Sequence, residues 1–85
     1  MDQQLGQVLA QFEKNSREEV RVSVNEIYGR KVINIRVFYK TEAGGWAPGK
    51  QGLALAVDRY RDLADAVVTL GEFLRSRNLL GSAKQ

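Results

Sequence analysis

The chain contains neither cysteine nor histidine among its 85 residues. Without cysteine there is no disulfide and no thiolate metal site, and without histidine the commonest remaining zinc ligand and general base is missing too. The carboxylate pairs Glu18-Glu19 and Asp62-Asp65 have no nucleophile beside them, so we interpret them as solvated charge. No phosphate-binding loop of the form G-x-x-x-x-G-K-S/T occurs. We therefore expect a protein that is not an enzyme and that binds neither a metal nor a cofactor.

Long apolar runs are also missing. No stretch approaches the ~18 apolar residues of a membrane-spanning helix. The first residues, Met1 to Gln4, lack the basic start and apolar stretch of a signal peptide. These features predict a soluble intracellular protein with no membrane partner. We expect it in the cytoplasm, associated with the nucleoid in a bacterium, or in the nucleus of a eukaryote.

The length predicts one domain, residues 1–85. A chain of this size buries only roughly 60–65% of its unfolded surface, so its own core is marginally stable. Since the chain can form neither a disulfide nor a metal site built from cysteine or histidine, a homodimer interface is the remaining way to bury more apolar surface.

The positive charge is concentrated in one segment. The net charge is +3, but residues 14–40 carry seven lysines and arginines against three glutamates, an excess of +4. Such a segment attracts polyanions such as nucleic acids. Charge alone leaves a solvated basic surface as an equal alternative.

The N-terminal residues have helical spacing. Apolar side chains recur at i, i+3, i+4 and i+7, at Leu5, Val8, Leu9 and Phe12. This pattern predicts a short amphipathic helix with Asp2 as its N-cap, followed by a polar connector up to residue 18.

Alternating residues predict a sheet in the middle of the chain. Strands are expected over 19–25 and 31–40, joined by a turn at Tyr28-Gly29. After a loop over 41–45, the glycine-rich stretch 46–52 predicts a third strand that is short, irregular or at a sheet edge, because proline lacks a ladder donor. A short fourth strand is expected over 53–56.

A long amphipathic helix is predicted from Asp58, its N-cap, to about Arg77, with Gly81 beyond its end. Its apolar arc spans roughly 220°, about twice what an ordinary surface helix needs. We expect the helix to cover its own sheet and also to meet a second helix. The 3-4-3-4 spacing of helix-on-helix packing selects the dimer-interface residues Tyr60, Leu63, Val67, Leu70 and Leu74.

Three blocks of residues carry a resemblance to a known family. They are Val22-Ser23-Val24, the stretch G-R-K-V-I-N-I-R over 29–36, and P-G-K-Q-G-L-A-L over 48–55. In type and spacing they resemble the positive cofactor 4 (PC4) family of transcriptional coactivators, which bind single-stranded DNA. The resemblance covers about residues 20–75.

The resemblance implies an α+β fold, β-β-β-β-α: a four-stranded, curved antiparallel sheet followed by a long C-terminal helix. Two protomers would pair through their helices, and the sheets would form channels for antiparallel single strands. We expect the short N-terminal helix and connector over 1–18, the DNA-binding core over 19–77 and a tail over 78–85.

Family positions map onto this chain residue by residue. By resemblance, Arg30 replaces the hairpin lysine, Arg36 is the strand arginine and Tyr39 replaces a stacking tryptophan. Positions kept or conservatively replaced are Pro48, Gly49, Lys50 and Gly52. The departures reduce charge and relocate aromatic groups: Ile27, Tyr28, Trp46, Ala47 and Gln51. Binding is thus expected to depend on stacking.

The expected nucleic-acid contacts combine cations for phosphates with aromatic faces for bases. They are Tyr28, Arg30, Arg36, Tyr39, Lys40, Trp46, Pro48 and Lys50. Strict alternation would place Tyr39 on the buried face, and only a bulge would bring it to the outward one. For Trp46, a loop anchor is an equal alternative.

We therefore expect a sequence-tolerant single-stranded-DNA-binding homodimer that acts in transcription, with the transcription machinery as a further partner, or in handling unpaired DNA. Two alternatives stay open. One is RNA binding on the same sheet, since stacking and phosphate contacts do not distinguish the two nucleic acids. The other is a protein-interaction module that has lost DNA binding, as the glutamine and alanine at former lysine positions suggest.

Overall fold

A computed structural model describes residues 6–81 and consists of one antiparallel sheet followed by one helix. The strands are β1 (Val8–Asn15), β2 (Glu18–Ile27), β3 (Arg30–Lys40) and β4 (Trp46–Ala56), in the spatial order β1-β2-β3-β4. A 3-10 turn (Val57–Arg59) leads into α1 (Tyr60–Ser76). The predicted four-stranded sheet with a C-terminal helix is confirmed. No helix in the described part of the chain is long and apolar enough to cross a membrane.

The β2–β3 hairpin follows the predicted turn. Tyr28 and Gly29 both have positive φ, 53° and 76°, as a two-residue type I′ turn requires. The pairing then continues without a shift from Ile27 opposite Arg30 to Glu18 opposite Tyr39. Because a two-residue turn matches the twist of the strands that it joins, it sets the register of the whole central pair.

The predicted N-terminal helix is wrong over residues 8–12, which begin β1. Val8 and Phe12 lie four residues apart, a spacing that suits a helix face and the face of a regular strand equally. In β1 a register shift between Val8 and Ala10 sets Val8 opposite Ser23. A helix of two turns is marginal in water, whereas β1 gains a hydrogen-bonded ladder to β2, with Phe12 opposite Val20. The proposed cap Asp2 and the first apolar residue Leu5 lie outside the described residues.

The third and fourth predicted strands are one strand, β4. A bulge, rather than a break, accommodates the glycine-rich stretch: Arg36 pairs with Gly52 and Phe38 with Pro48, so three β4 residues oppose Val37 alone. Since β4 is a sheet edge, Pro48 costs no ladder bond to a further strand, which agrees with the edge position predicted for this stretch. The loop expected over 41–45 is present, with Gly44 at φ 93°.

The sheet has two chemically different faces, because side chains alternate along each strand. What we call the polar face includes Arg21, Ser23, Asn34, Arg36, Phe38, Lys40, Trp46 and Pro48. What we call the apolar face includes Val20, Val22, Val24, Ile33, Ile35, Val37, Leu53 and Leu55. Within residues 6–81 only Ile33, 8% exposed, is buried. The other side chains of the apolar face are half-buried or, at Leu53, exposed.

The helix begins and ends differently from the prediction. Asp58 is not its N-cap; it lies in the 3-10 turn, and no side chain caps either helical segment. At the other end Asn78 takes the left-handed conformation, φ 58°, and the Leu79 amide donates to the Leu74 carbonyl at 2.8 Å. Asn78 therefore closes the helix in a Schellman motif, and Gly81 lies three residues beyond.

The helix does not cover its own sheet as predicted. The helix α1 makes little contact with any strand of the sheet. The radius of gyration is 15.2 Å, whereas a compact chain of this length would have one of about 11–12 Å. Val67, Val68 and Leu70 are each more than half exposed. Apolar surface on both the helix and the sheet is therefore left without a cover from within the chain.

Candidate nucleic-acid interface

Four of the predicted contact residues share one end of the polar face. Lys40 pairs directly with Trp46, and Phe38 pairs with Pro48. Arg36 precedes Phe38 by two positions in β3, so both side chains lie on the same side of the strand. Strand pairing thus brings Arg36, Lys40, Trp46 and Pro48 together, although they are separated along the chain.

The aromatic rings at this end lie under cations. The Arg21 guanidinium carbon is 4.3 Å from the centre of the Phe38 ring and 5.8 Å from that of Trp46. The Lys40 ammonium is 5.6 Å from the Trp46 ring. All three distances fall within the range of cation–π attraction. A mixed surface of aromatic faces and positive charge results, which is what a single-stranded nucleic acid requires of its binding site.

Arg21 and Phe38 are the members of this cluster that the sequence prediction missed. Both occupy outward positions of alternating strands, so their face was predictable. Their proximity was not, because Arg21 lies opposite Arg36 in the β2–β3 register and reaches Phe38 only diagonally. A diagonal contact of this kind depends on the register and twist of the sheet.

Arg36 is held by the β4 bulge. Its Nη1 donates to the Gly49 carbonyl at 3.3 Å, and its guanidinium lies over Gly52. A Cβ atom at Gly52 would approach Arg36 Cζ to 2.9 Å and the Ile35 carbonyl oxygen to 2.8 Å. The carbonyl of Gly49 in the bulge thereby accepts a hydrogen bond from Arg36, which gives Arg36 a defined position on the polar face.

The remaining polar-face positions of β4 are small. Gly52, Ala54 and Ala56 pair with Arg36, Asn34 and Val32. Because these residues have little or no side chain, the surface of the polar face is recessed along this edge. The hairpin end of this strip opens into a cavity of about 510 Å³ lined in part by Ile27, Tyr28, Arg30 and Ala54.

Tyr28 and Arg30 lie at the opposite end of the sheet from Trp46. Ten residues separate Arg30 from Lys40 along β3, roughly 33 Å at 3.3 Å per residue. Tyr28 is 99% exposed at the tip of the hairpin. The two ends of the polar face therefore each carry an aromatic ring and positive charge.

Tyr39 is not on the polar face with the others. The bulge lies in β4, and the pairing of β3 with β2 continues without a shift to Tyr39 opposite Glu18. The alternation of β3 is therefore preserved, and Tyr39 stays on the apolar side with Val37. Together with Lys50 it lines a separate cavity of about 260 Å³ at the outer end of the sheet.

Carboxylates border the aromatic end. Glu13, Glu18 and Glu19 share a cavity of about 250 Å³ with Lys40 and Trp46. Lys14 Nζ and Asn15 Nδ2 each donate to Glu18 at 2.8 Å, and these bonds to the Lys14 and Asn15 side chains hold the pKa of Glu18 below its usual value. Phosphates would therefore meet repulsion at this end beside the attraction of Arg21 and Lys40.

Comparison with known proteins identifies the same fold. The profile of the Transcriptional Coactivator p15 (PC4) family matches residues 14–66. No curated protein gives a significant sequence match. The crystal structure of a PC4 homologue from Burkholderia pseudomallei superposes with a TM-score of 0.73 at 18% identity, covering 79% of this chain and 90% of that one.

Two further structures are similar. The bacteriophage T5 homologue of PC4, implicated in recombination-dependent DNA replication, has a TM-score of 0.56 at 20% identity and covers 86% of this chain and 78% of its own. MoSub1 in complex with single-stranded DNA has a TM-score of 0.56 at 31% identity, with 88% and 83% coverage. The family match extends from the end of β1 into α1 and includes the whole bulged β3–β4 pair.

Proposed function

We propose that this chain, which belongs to the Transcriptional Coactivator p15 (PC4) family, binds single-stranded DNA along the polar face of its sheet. The observation that carries the proposal is the cluster of Phe38 and Trp46 under Arg21 and Lys40. Stacking on aromatic rings accepts any base, and cations follow the phosphates. The proposed activity is therefore tolerant of sequence, and it is binding without catalysis.

The path of the strand follows from where the predicted residues lie. Arg36, Lys40, Trp46 and Pro48 form the main contact, and Tyr28 with Arg30 forms the far end. Between them the small β4 residues leave room for the backbone of the nucleic acid. Lys50, in the β4 bulge, provides a lateral contact, whereas Tyr39, on the apolar side, is left out of the proposed path. This arrangement explains why both ends of the sheet carry aromatic and basic side chains.

A homodimer completes the proposal. One protomer leaves most of its apolar face and the apolar arc of α1 uncovered, and several of these side chains are about half exposed or more. Burial of such surface stabilises by roughly 25 cal/mol per Å², so two copies gain by covering each other. We assign the interface to Tyr60, Leu63, Val67, Leu70 and Leu74, which leaves the polar face free for DNA.

The biological setting that we propose is transcription regulation, as a coactivator with a partner in the transcription machinery, or the handling of unpaired DNA. MoSub1 in its single-stranded-DNA complex and the phage homologue implicated in DNA replication support the second role as much as the first. Either role places the protein where DNA is, in the cytoplasm of a bacterium or the nucleus of a eukaryote.

Competition binding tests the proposal. A labelled single-stranded oligonucleotide is bound to the pure protein and then competed with unlabelled single-stranded DNA, matched duplex and RNA at two salt concentrations. We expect single-stranded DNA to compete best and duplex to compete weakly, because duplex bases hide their faces. Equal competition by duplex would overturn the single-strand assignment, and stronger competition by RNA would replace DNA as the ligand. Absence of any binding would favour a protein-interaction module.

A further inference from the structure

Arg21 is the central cation of the polar face, and it already has an anionic partner. Its Nε donates to Glu19 Oε2, two residues earlier on the same strand. Both side chains are sheltered, with 22% and 15% of their surfaces exposed. A sheltered ion pair is screened less by water than an exposed one. The Glu19 carboxylate therefore neutralises much of the positive charge with which Arg21 would attract another anion.

The guanidinium can bind a phosphate more strongly than it binds Glu19. Its Cζ lies 4.3 Å from the centre of the Phe38 ring, and Glu19 uses only one of its five N–H donors. Among residues 6–81 the terminal nitrogens of Arg21 donate no hydrogen bond. A phosphate accepts two parallel N–H donors from such a fork, a geometry that binds more strongly than a single bond.

Cross-strand pairing weakens the hold of Glu19. Glu19 lies directly opposite Glu13, and Arg21 lies directly opposite Arg36. Like charges in directly opposed positions are destabilising. If Glu19 left Arg21, the Glu13–Glu19 repulsion would fall, and a phosphate at Arg21 would also feel the positive charge of Arg36. The face is thus arranged so that an incoming anion can replace the internal one.

We propose that Glu19 is an internal competitor for the DNA phosphate: it occupies Arg21 in the free protein and is displaced when a single strand binds. The inference rests on the proposed function and adds one positioning residue to its site, Glu19, which acts through Arg21. The consequence is selectivity. A small free anion loses the free energy of the Arg21–Glu19 ion pair and gains only one contact. A single strand that also stacks a base on Trp46 gains additional binding free energy that offsets this loss.

A double-mutant cycle tests this relationship. Glu19→Gln, Arg21→Ala and the double variant are compared with the parent for binding of a single-stranded oligonucleotide at several salt concentrations. We expect Glu19→Gln to tighten binding about three- to tenfold and Arg21→Ala to weaken it and flatten the log–log salt slope by about 0.7. In the Arg21→Ala background, Glu19→Gln should have little effect, because its competitor role needs Arg21.

The matched control is Glu26→Gln, which removes the same charge from the same strand near the hairpin. It should tighten binding less than twofold. Equal gains from Glu19→Gln and Glu26→Gln, or an equal gain from Glu19→Gln with and without Arg21, would show only a general charge effect and overturn the inference. Arg21→Lys, which keeps the charge and loses the fork, serves if Arg21→Ala does not fold. A parent that binds no single strand would instead overturn the proposed function itself.

Discussion

Arg36 lies over Gly52, and the two residues are directly paired across β3 and β4. A Cβ at position 52 would stand 2.8 Å from the Ile35 carbonyl oxygen and 2.9 Å from Arg36 Cζ. The backbone oxygen cannot move aside without disturbing β3. Glycine is therefore required at position 52, because a side chain there would collide with the backbone of β3 and with Arg36. The same residue thus affects both the packing of the sheet and the arrangement of its polar face.

Gly52→Ala is expected to destabilise the protein by about 1–3 kcal/mol, since it forces the backbone of β3 and β4 apart. Urea unfolding measures the change. The control is Gly45→Ala, where the nearest atom to an added Cβ is Thr41 Oγ1 at 3.8 Å, and there we expect little change. Equal stability of the two variants would contradict the close contact.

Tyr28→Asn should change stability and binding in opposite directions. Tyr28 has a φ of 53°, a conformation that asparagine tolerates better, so the free energy of unfolding should rise by a few tenths of a kcal/mol to about 1. If a base stacks on this exposed ring, binding should weaken by about 1–3 kcal/mol. Thermal unfolding and oligonucleotide titration measure the two effects. Unchanged affinity would remove Tyr28 from the interface.

Salt dependence tests the charged contacts. Phosphate contacts by Arg30, Arg36, Lys40 and Lys50 would together contribute about −3 per chain to the log–log salt slope, at roughly 0.7 per contact. Lys50→Ala should flatten the slope by about 0.7 and weaken binding to all sequences alike. Arg61→Ala, on the helix, is the matched control and should leave the slope unaltered. A slope that Lys50→Ala does not alter would show that DNA does not reach the β4 bulge.

Trp46 is the single tryptophan and reports on its own surroundings. Single-stranded oligonucleotide should quench its emission and matched duplex should quench it far less. Trp46→Ala should weaken binding by about 1–3 kcal/mol without unfolding the sheet, because Trp46 is a partly exposed residue near the end of the sheet, 36% exposed. Tyr39→Ala is the comparison, and on the apolar side of β3 we expect it to reduce stability more than binding. If Trp46→Ala binds the oligonucleotide as tightly as the parent, the indole anchors the loop and does not stack on a base.

Val67→Asp tests the homodimer. Val67 is 56% exposed in one chain, so a charge there should leave the protomer's own contacts intact and act on the interface. Sedimentation at micromolar concentration should show a dimer for the parent and a monomer, or an unfolded chain, for the variant. Thr69→Asp, outside the apolar arc, should remain dimeric. A folded monomer of the parent protein would refute the proposed interface.

Local chemistry was sufficient for several parts of this fold. Tyr28-Gly29 between two alternating runs specified a hairpin, and the apolar arc from Tyr60 to Leu74 specified a long helix. The alternation of β3 also placed Arg36 and Lys40 on one face and Ile33 and Ile35 on the other. Each of these features depends on residues near one another in the chain, where turn geometry and side-chain periodicity act directly.

Strand pairing decided the rest. Residues 8–12 carry a spacing that fits helix and strand, and only the ladder to β2 makes them β1. The bulge could have lain in β3 or β4, and its place in β4 keeps Tyr39 away from Trp46. The approach of Arg21 to Phe38 and Trp46 required the register of three strands at once. Sequence periodicity determines which face a side chain occupies, but its neighbours on that face depend on hydrogen bonds between residues far apart in the chain, which only the tertiary structure sets.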